Sequence, residues 1–172
     1  PVSTLSFLGP DERRRVLEDY NRTTRDYPRE RCVHELFEAQ VERTPDATAL
    51  TYCGANLRYG ELNARANQLA HHLQSLGVGL GSRVAICMDR GVDMVVALLS
   101  VLKAQAAYVP LDPSHPAERL AYMIEDSDPV VILTHARSRA ALDHVARGIR
   151  VDVDAAADSL AALSVANPRV SS

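Results

Sequence analysis

The chain has 172 residues, of which 47% are hydrophobic and 24% charged, and these proportions are typical of a globular domain with its own core. A formal net charge of −3 argues against a nucleic-acid partner. Three scattered cysteines without a Cys-x-x-Cys pair favour free thiols in the cytoplasm over a disulfide framework or a zinc site. The apolar runs are too short to span a membrane.

Residues 1–31 are predicted to be an interdomain linker with one short helix. A Gly-Pro pair followed by two acidic residues begins that helix, which we expect to run from Pro10 to about Tyr20. Polar sequence containing Pro28 follows and is typical of a loop. Because the chain begins with Pro1 and not Met, we expect it to be a piece of a longer protein.

The next segment predicts an amphipathic helix and then a β-hairpin. Helical spacing of apolar residues indicates a helix from residue 33 that Pro45 terminates. Its expected buried face comprises Val33, Leu36, Phe37 and Val41. Apolar residues then alternate with polar ones on both sides of Cys53–Asn56, with Leu50 and Tyr52 before it and Leu57 and Tyr59 after it.

From residue 62 onward, helices and strands alternate. The predicted helices are 62–77, Val92–Lys103, a segment from Pro116 to about Asp126, and Ser138–Arg147. The predicted strands are Arg83–Met88, Ala106–Leu111, Val130–Leu133 and Ile149–Val153. This order predicts an α/β fold with a parallel sheet flanked by helices, preceded by the helix and the hairpin. We expect 106–111 to be an inner strand and residues 155–172 to form a weak helix and a trailing linker. The tyrosines on apolar faces are expected in the core: Tyr52, Tyr59, Tyr108 and Tyr122.

The sequence contains few motifs that could form a catalytic or binding site. The glycines of Gly77–Gly81 follow a helix and precede a strand, the reverse of the order in a phosphate loop, so they predict a helix cap and a turn. The strand-to-helix turn Asp89–Gly91 has one glycine and a carboxylate that would repel phosphate, although Arg90 could meet an anion. The histidines lack metal-ligand spacing and are expected at the surface or at caps. The residues alone therefore predict no catalytic, cofactor-binding or metal-binding site within the chain.

Several segments resemble, in order, the adenylation domains of nonribosomal peptide synthetases. Leu57–Leu62 resembles the first core motif of that family, with Arg58 where a hydroxyl residue is usual, and Leu102–Pro113 resembles the second, with Gln105 where Gly is usual. The other similar segments are Gly9–Thr23, which resembles the linker from a condensation domain, together with Val33–Glu38, Gln40–Asp46 and Glu118–Ser127.

The resemblance implies that the chain is part of the large N-terminal subdomain of an adenylate-forming enzyme. It implies a linker at 1–31, the beginning of the adenylation domain at 32–154, and at 155–172 a segment leading to a phosphate loop beyond Ser172. The intact protein would use ATP and magnesium to convert an amino acid to aminoacyl-AMP. The aminoacyl group would then pass to the phosphopantetheine of a downstream carrier domain. An upstream condensation domain and the rest of the adenylation domain would be its other partners, and it would be cytoplasmic.

The resemblance places catalytic residues beyond Ser172, so the chain alone is predicted to be inactive and to need no cofactor. The motif positions within the chain are expected to be mainly structural: Leu57, Tyr59, Glu61, Leu62, Leu102, Lys103, Ala104, Tyr108, Val109, Pro110 and Asp112. Lys103, the single lysine, lies at the C-terminal end of its predicted helix, where the helix dipole favours a positive charge. If the usual Gly is a helix cap with positive φ, Gln105 is strained. Two alternatives remain, another adenylate-forming ligase of the acyl-CoA synthetase type and a non-catalytic interaction module.

Overall fold

The computed structural model describes residues 8–145 and 148–168, and its contacts divide the chain into two compact units, Pro1–Arg31 and Cys32–Ser172. The division falls at the residue where the sequence places the end of the linker. That the first unit is a linker between domains remains a prediction.

In the first unit, α1 (Pro10–Arg14) continues into a π-helical turn (Arg15–Asp19) that the N–H of Tyr20 closes on the carbonyl of Arg15. The predicted helix from Pro10 to about Tyr20 is therefore confirmed. Pro at its first position suits a helix start because no intrahelical partner exists there for an N–H, and two acids in the first turn suit the positive end of the helix dipole. Every described residue of this unit is exposed.

The second unit begins with α2 (Val33–Arg43), whose start is fixed by the carboxylate of Glu35, which accepts the Cys32 N–H at 2.6 Å. The predicted apolar face is only partly correct. Phe37 packs against the core, but Val33 is 68% exposed and Leu36 is 37% exposed. The helix lies at the margin of the core, so the N-terminal end of its apolar face extends into solvent.

The predicted hairpin is confirmed. β1 (Thr48–Tyr52) pairs antiparallel with β2 (Ala55–Arg58) through a two-residue turn in which Cys53 and Gly54 have φ of 49° and 80°. Positive φ at both positions gives a turn whose twist matches that of the strands. The second strand ends earlier than predicted, because Tyr59 is the first residue of α3 (Tyr59–Ser75) and not the end of the hairpin.

The predicted parallel sheet is confirmed and has the order β4-β3-β5-β6. Its strands are β3 (Arg83–Cys87), β4 (Ala107–Leu111), β5 (Val131–Thr134) and β6 (Ile149–Asp152), and all three pairings are parallel. The connecting elements are α4 (Val92–Lys103), α5 (Ala117–Ser127) and a 3-10 turn (Arg139–Leu142).

The two inner strands, β3 and β5, are buried on both faces, as expected for parallel strands with continuous apolar sequence, whereas β4 and β6 are largely exposed. Alternate residues such as Val84 and Ile86 pack against α3 and α4, where Leu62, Leu69 and Leu73 form the predicted apolar stripe. The residues between them, including Ala85 and Cys87, pack against α5 and the 3-10 turn through Leu120, Ile124 and Leu142.

Strand β4 lies at one edge of the sheet and not inside it, contrary to the expectation from sequence. Pro110 has no N–H to donate to a neighbour, and this favours an edge position for the strand that contains it. The core assignment of three tyrosines is also wrong, because their polar ends reach solvent: Tyr52, Tyr108 and Tyr122 are 44%, 43% and 69% exposed. Tyr59 is half-buried.

The predicted helix Ser138–Arg147 is wrong over its described part. Only one 3-10 turn forms there, because Leu142 and Val145 both turn into the core at a spacing of three residues. After β6, α6 (Ala157–Ala161) confirms the short helix predicted there, and residues 162–168 have no regular structure. Residues 169–172 of the predicted trailing linker lie outside the described residues, and its role as a linker remains a prediction. Within the described ranges, none of the helices combines the length and apolarity needed to cross a bilayer.

Candidate functional site

A polar crevice of about 270 Å³ lies beyond the carboxyl ends of β3, β5 and β6. The chain leaves β3 for β4 on one side of the sheet and reaches β5 on the other, and parallel sheets open a crevice where the strand order reverses in this way. The turn Asp89–Gly91 forms one wall, and His135, Arg137 and Asp154 form another. Tyr52 of the hairpin also lines it.

His135 joins the two walls of the crevice and is 9% exposed. Its Nε2 faces the backbone N–H of Asp89 at 3.3 Å, and its Nδ1 faces the N–H of Ser138 at 3.2 Å. A neutral imidazole accepts at only one nitrogen, so the other nitrogen directs its proton toward the Ser138 hydroxyl or the Asp89 carboxylate, 3.2 and 3.8 Å away. The ring therefore braces the loops after β3 and β5. The sequence analysis missed this role, although the position of His135 directly after a buried strand was a usable signal.

Ser138, His135 and Asp89 superficially resemble a nucleophile, a base and an orienting acid. Ser138 is only 2% exposed, so its hydroxyl is closed to a substrate, and 3.8 Å between Nε2 and the carboxylate exceeds a hydrogen bond. The cluster is therefore a structural brace.

Charges of both signs surround the crevice. Asp93 pairs with Arg65 at 2.6 Å, and the carboxylate of Asp154 accepts the N–H of Ala136 at 2.9 Å. On the other side of the turn after β3, two hydrogen bonds from the N–H and hydroxyl of Ser114 hold the pKa of Asp112 below its usual value. Within the described ranges, no three histidine, cysteine, aspartate or glutamate residues are placed to hold a metal ion.

The residues predicted to form the first motif lie where α3 begins. Leu57 on β2 packs against the core, Leu62 is buried, and the Glu61 carboxylate accepts the N–H of Arg58 at 3.0 Å. The ring of Tyr59 lies 5.8 Å from that of Phe37.

The residues of the second motif span the molecule from the end of α4 to the end of β4. Leu102, Lys103 and Ala104 close α4, Tyr108, Val109 and Pro110 lie on β4, and Asp112 follows that strand. Gln105 has φ of 61°, and the N–H groups of Gln105 and Ala106 bond to the carbonyls of Leu102 and Val101. This is the helix-ending motif that favours glycine, so the expected positive φ is confirmed.

The two motifs meet through Phe37. Its ring centre lies 5.8 Å from that of Tyr59 in the first motif and 5.9 Å from the ammonium of Lys103 in the second. Asp112, in contrast, lies at the carboxyl edge of the sheet, so the structure does not gather the motif positions into one site.

Lys103 is the centre of a polar junction, buried at Lys103 and Asn67, that the sequence analysis missed. We define this junction as Glu38, Asn63, Asn67, Lys103 and Asn167. The lysine side chain has no solvent exposure, donates to the carboxylate of Glu38, and lies 3.2 Å from Oδ1 of Asn167. Burial lowers the pKa of Lys103 below its ordinary value, and the hydrogen bond to Glu38 opposes that shift. Asn63 and Asn67 lie one turn apart on α3, a polar spacing that could have signalled a second buried face.

The family model for the AMP-binding enzyme matches residues 37–171 of the chain. The chain belongs to this family. A component of the linear gramicidin synthase from Brevibacillus parabrevis is 55% identical to it over 135 residues, which is 78% of the chain and 2% of that protein. Tyrocidine synthase 3 from the same organism is 40% identical over 166 residues, 96% of the chain and 3% of that protein.

Solved structures of this AMP-binding fold agree. The nonribosomal peptide synthetase FmoA3 superposes with a TM-score of 0.79 and 31% identity over 92% of the chain and 17% of that protein. The N-terminal domain of FACL13 from Mycobacterium tuberculosis shares the fold, with a TM-score of 0.74 and 23% identity over 81% of the chain and 38% of that domain. The chain spans only a few per cent of the curated relatives' lengths, and it corresponds to the N-terminal portion of a peptide-synthetase adenylation domain.

Proposed function

We propose that the protein containing this chain activates an amino acid with ATP. The carboxylate of the amino acid attacks the α-phosphorus, forming aminoacyl-AMP and releasing pyrophosphate. The aminoacyl group then passes to the phosphopantetheine thiol of a carrier domain. The observation that carries the proposal is the AMP-binding match over 37–171, together with a related FmoA3 structure, 32% identical over 80% of the chain, described as bound to alpha-methyl-L-serine-AMP.

The loops of the described residues do not have the features that bind the phosphates of a nucleoside triphosphate. The strand-to-helix turn after β3 carries Asp89 and one glycine, and a carboxylate there opposes phosphate. The glycines of Gly77–Gly81 join α3 to β3, so no helix N-terminus follows them to receive an anion. We assign nucleotide binding to residues that follow Pro168 and assign a scaffold role to the chain described here.

The scaffold role extends to the motif positions. Leu57, Tyr59, Glu61 and Leu62 hold the start of α3, and Leu102, Lys103 and Ala104 hold the end of α4, so catalysis benefits from them through positioning. Tyr108, Val109, Pro110 and Asp112 form the edge strand and its end. Residues 1–31 act as the linker from a condensation domain, 32–154 begin the adenylation domain, and 155–172 lead to the phosphate loop. Magnesium accompanies ATP in the intact protein, which we place in the cytoplasm.

The test is amino-acid-dependent exchange of radioactive pyrophosphate into ATP, measured on the intact adenylation domain with a panel of amino acids. We expect exchange with one amino acid or a small group of them and none when the amino acid is omitted. An intact, folded domain that exchanges with no member of a panel of proteinogenic and common nonproteinogenic amino acids would overturn the proposal.

A further inference from the structure

Residues 161–168, here called the docked segment, are held against α3 almost entirely by side chains. Nε2 of Gln68 donates to the carbonyls of Ala161 and Leu163 at 3.0 and 3.4 Å. Nδ2 of Asn67 donates to the carbonyl of Val165 at 2.7 Å, and Nε2 of His71 lies 2.9 Å from that of Ala166. Residues 162–168 have no regular structure, so side chains on adjacent turns of α3 supply the hydrogen bonds that a neighbouring strand would otherwise give.

The docked segment ends at Asn167, an exposed residue whose side-chain oxygen accepts from three donors, two of which are buried. Oδ1 of Asn167 accepts from Nδ2 of Asn67 at 2.9 Å, from Nδ2 of Asn63 at 3.2 Å and from the ammonium of Lys103 at 3.2 Å. Asn67 and the lysine side chain are both fully buried. These two buried donors would be costly to leave unpaired, whereas the bond from Asn63 is exposed.

Proline at the next position restricts the path of the backbone that leaves this contact. Pro168 fixes its own φ and restricts Asn167 to extended backbone. With the side chain of Asn167 held by three donors and its backbone restricted, the direction in which the chain leaves α3 is set. The same ammonium is paired with Glu38 on α2, so α2, α3 and α4 all contribute to that direction.

We propose that Asn67, Lys103 and Asn167 are positioning residues for adenylation, which act by fixing the path of the chain into the nucleotide-binding residues that follow Pro168. This inference rests on the proposed function. The hydrogen bonds of Asn67 and Lys103 reach Val165 and Asn167, so we expect these residues to act through the docked segment. Their loss should therefore affect ATP far more than the amino acid.

The experiment compares Asn167→Leu with Asn167→Asp in the intact adenylation domain. Leucine removes the acceptor, whereas aspartate keeps an oxygen for the same three donors. We expect Asn167→Leu to raise the KM for ATP or lower kcat by about tenfold or more, with the KM for the amino acid changed less than about twofold. Asn167→Asp should restore most of the loss. Hydrogen exchange at the amides of residues 163–167 should accelerate in the leucine variant and not in the aspartate variant.

A matched pair on α3 controls for general destabilisation. His71→Leu removes one hydrogen bond to the docked segment, and His72→Leu changes the neighbouring residue, whose side chain makes no hydrogen bond with the described residues of that segment. We expect a rise in the KM for ATP with His71→Leu only.

Two outcomes would overturn the inference in an active domain. One is wild-type kinetics for Asn167→Leu, and the other is an equal loss for both substrates that aspartate fails to restore. A wild-type domain that shows no exchange with any amino acid would instead defeat the proposed function, and the assay thus separates the two failures.

Discussion

The carboxylate of Glu38 on α2 accepts a hydrogen bond from the ammonium of Lys103, 65 residues away at the end of α4. The lysine side chain has no solvent exposure, while the glutamate side chain keeps 20% of its surface exposed. The two charges are therefore unequal in their access to water.

This asymmetry predicts that the two partners contribute unequally to stability. Glu38→Leu should lower the free energy of unfolding by about 3 kcal/mol, because it leaves a buried ammonium whose remaining polar contact, Asn167, is neutral. Lys103→Met should cost only about 1 kcal/mol, because methionine fills the space and the glutamate can be solvated. Urea unfolding of both variants measures the difference.

The double variant Glu38→Leu/Lys103→Met is the control. It should be more stable than Glu38→Leu alone, since the unpaired charge has gone. A double variant that is less stable than both single variants would show that the pair does not act through burial of the ammonium.

The backbone at Gln105 predicts a stabilising substitution. Gln105→Gly should raise the free energy of unfolding by about 1 kcal/mol, because φ of 61° strains a side chain but not glycine. Ala104→Gly is the matched control, since Ala104 has φ of −78° and should lose about 0.5–1 kcal/mol from the helix end. If urea unfolding shows that both substitutions change the free energy of unfolding equally, the backbone at Gln105 is not strained.

A second stabilising change is predicted at the start of α3. Arg58 occupies the N-cap position, but its side chain has only donors and cannot accept a helix N–H. Arg58→Thr supplies an acceptor and should add about 0.5–1 kcal/mol, even though it removes the exposed ion pair with Asp46.

Arg58→Val isolates the oxygen, because valine has the shape of threonine without the hydroxyl. In thermal unfolding, the melting temperature of the threonine variant should be higher than that of the parent, and that of the valine variant should be equal to it or lower. Identical melting temperatures for threonine and valine would contradict a capping role.

The three thiols should differ in reactivity. Cys32 and Cys53 are exposed, whereas burial, with help from Asp89 and Asp112, raises the pKa of Cys87 to about 11. A disulfide reagent at pH 8 should therefore label two thiols quickly and the third only after unfolding. Rapid labelling of all three in the folded chain would contradict the burial of Cys87.

The same thiol predicts a pH dependence at alkaline pH. Its pKa is near 9.0 ordinarily and about 11 in the folded chain, so its contribution to stability is full below pH 9 and is lost as the pH rises toward 11. Subtracting the pH profile of Cys87→Ala from that of the parent should reveal this loss. A flat difference between pH 8 and 11 would contradict it.

The sheet, helices α3, α4 and α5 and the hairpin were predictable because they depend on local periodicity. Val92–Lys103 is bounded in the structure as predicted, since a glycine starts it and a glycine-type cap ends it. The edge position of β4 was not predicted, although Pro110 was a signal within the strand itself. The exposed tyrosines were misassigned because an aromatic residue with a polar end suits a boundary as well as a core.

The polar junction was beyond sequence reasoning for a different reason. Asn67 and Asn167 are 100 residues apart, and no pattern in either neighbourhood indicates that the two meet. Apolar periodicity describes the side of α3 that faces the sheet but says nothing of amides that hold another segment. The resemblance to known motifs identified Lys103, and only the structure shows that it pairs with Glu38 and Asn167.

The scaffold role of the chain is tested most directly by titrating ATP calorimetrically into the 172-residue chain and into the intact adenylation domain under the same conditions. We expect saturable binding to the domain and no measurable binding to the chain alone, because the described residues form no phosphate cradle. Binding of ATP to the chain with an affinity equal to that of the domain would contradict the assignment of the nucleotide site to residues that follow Pro168.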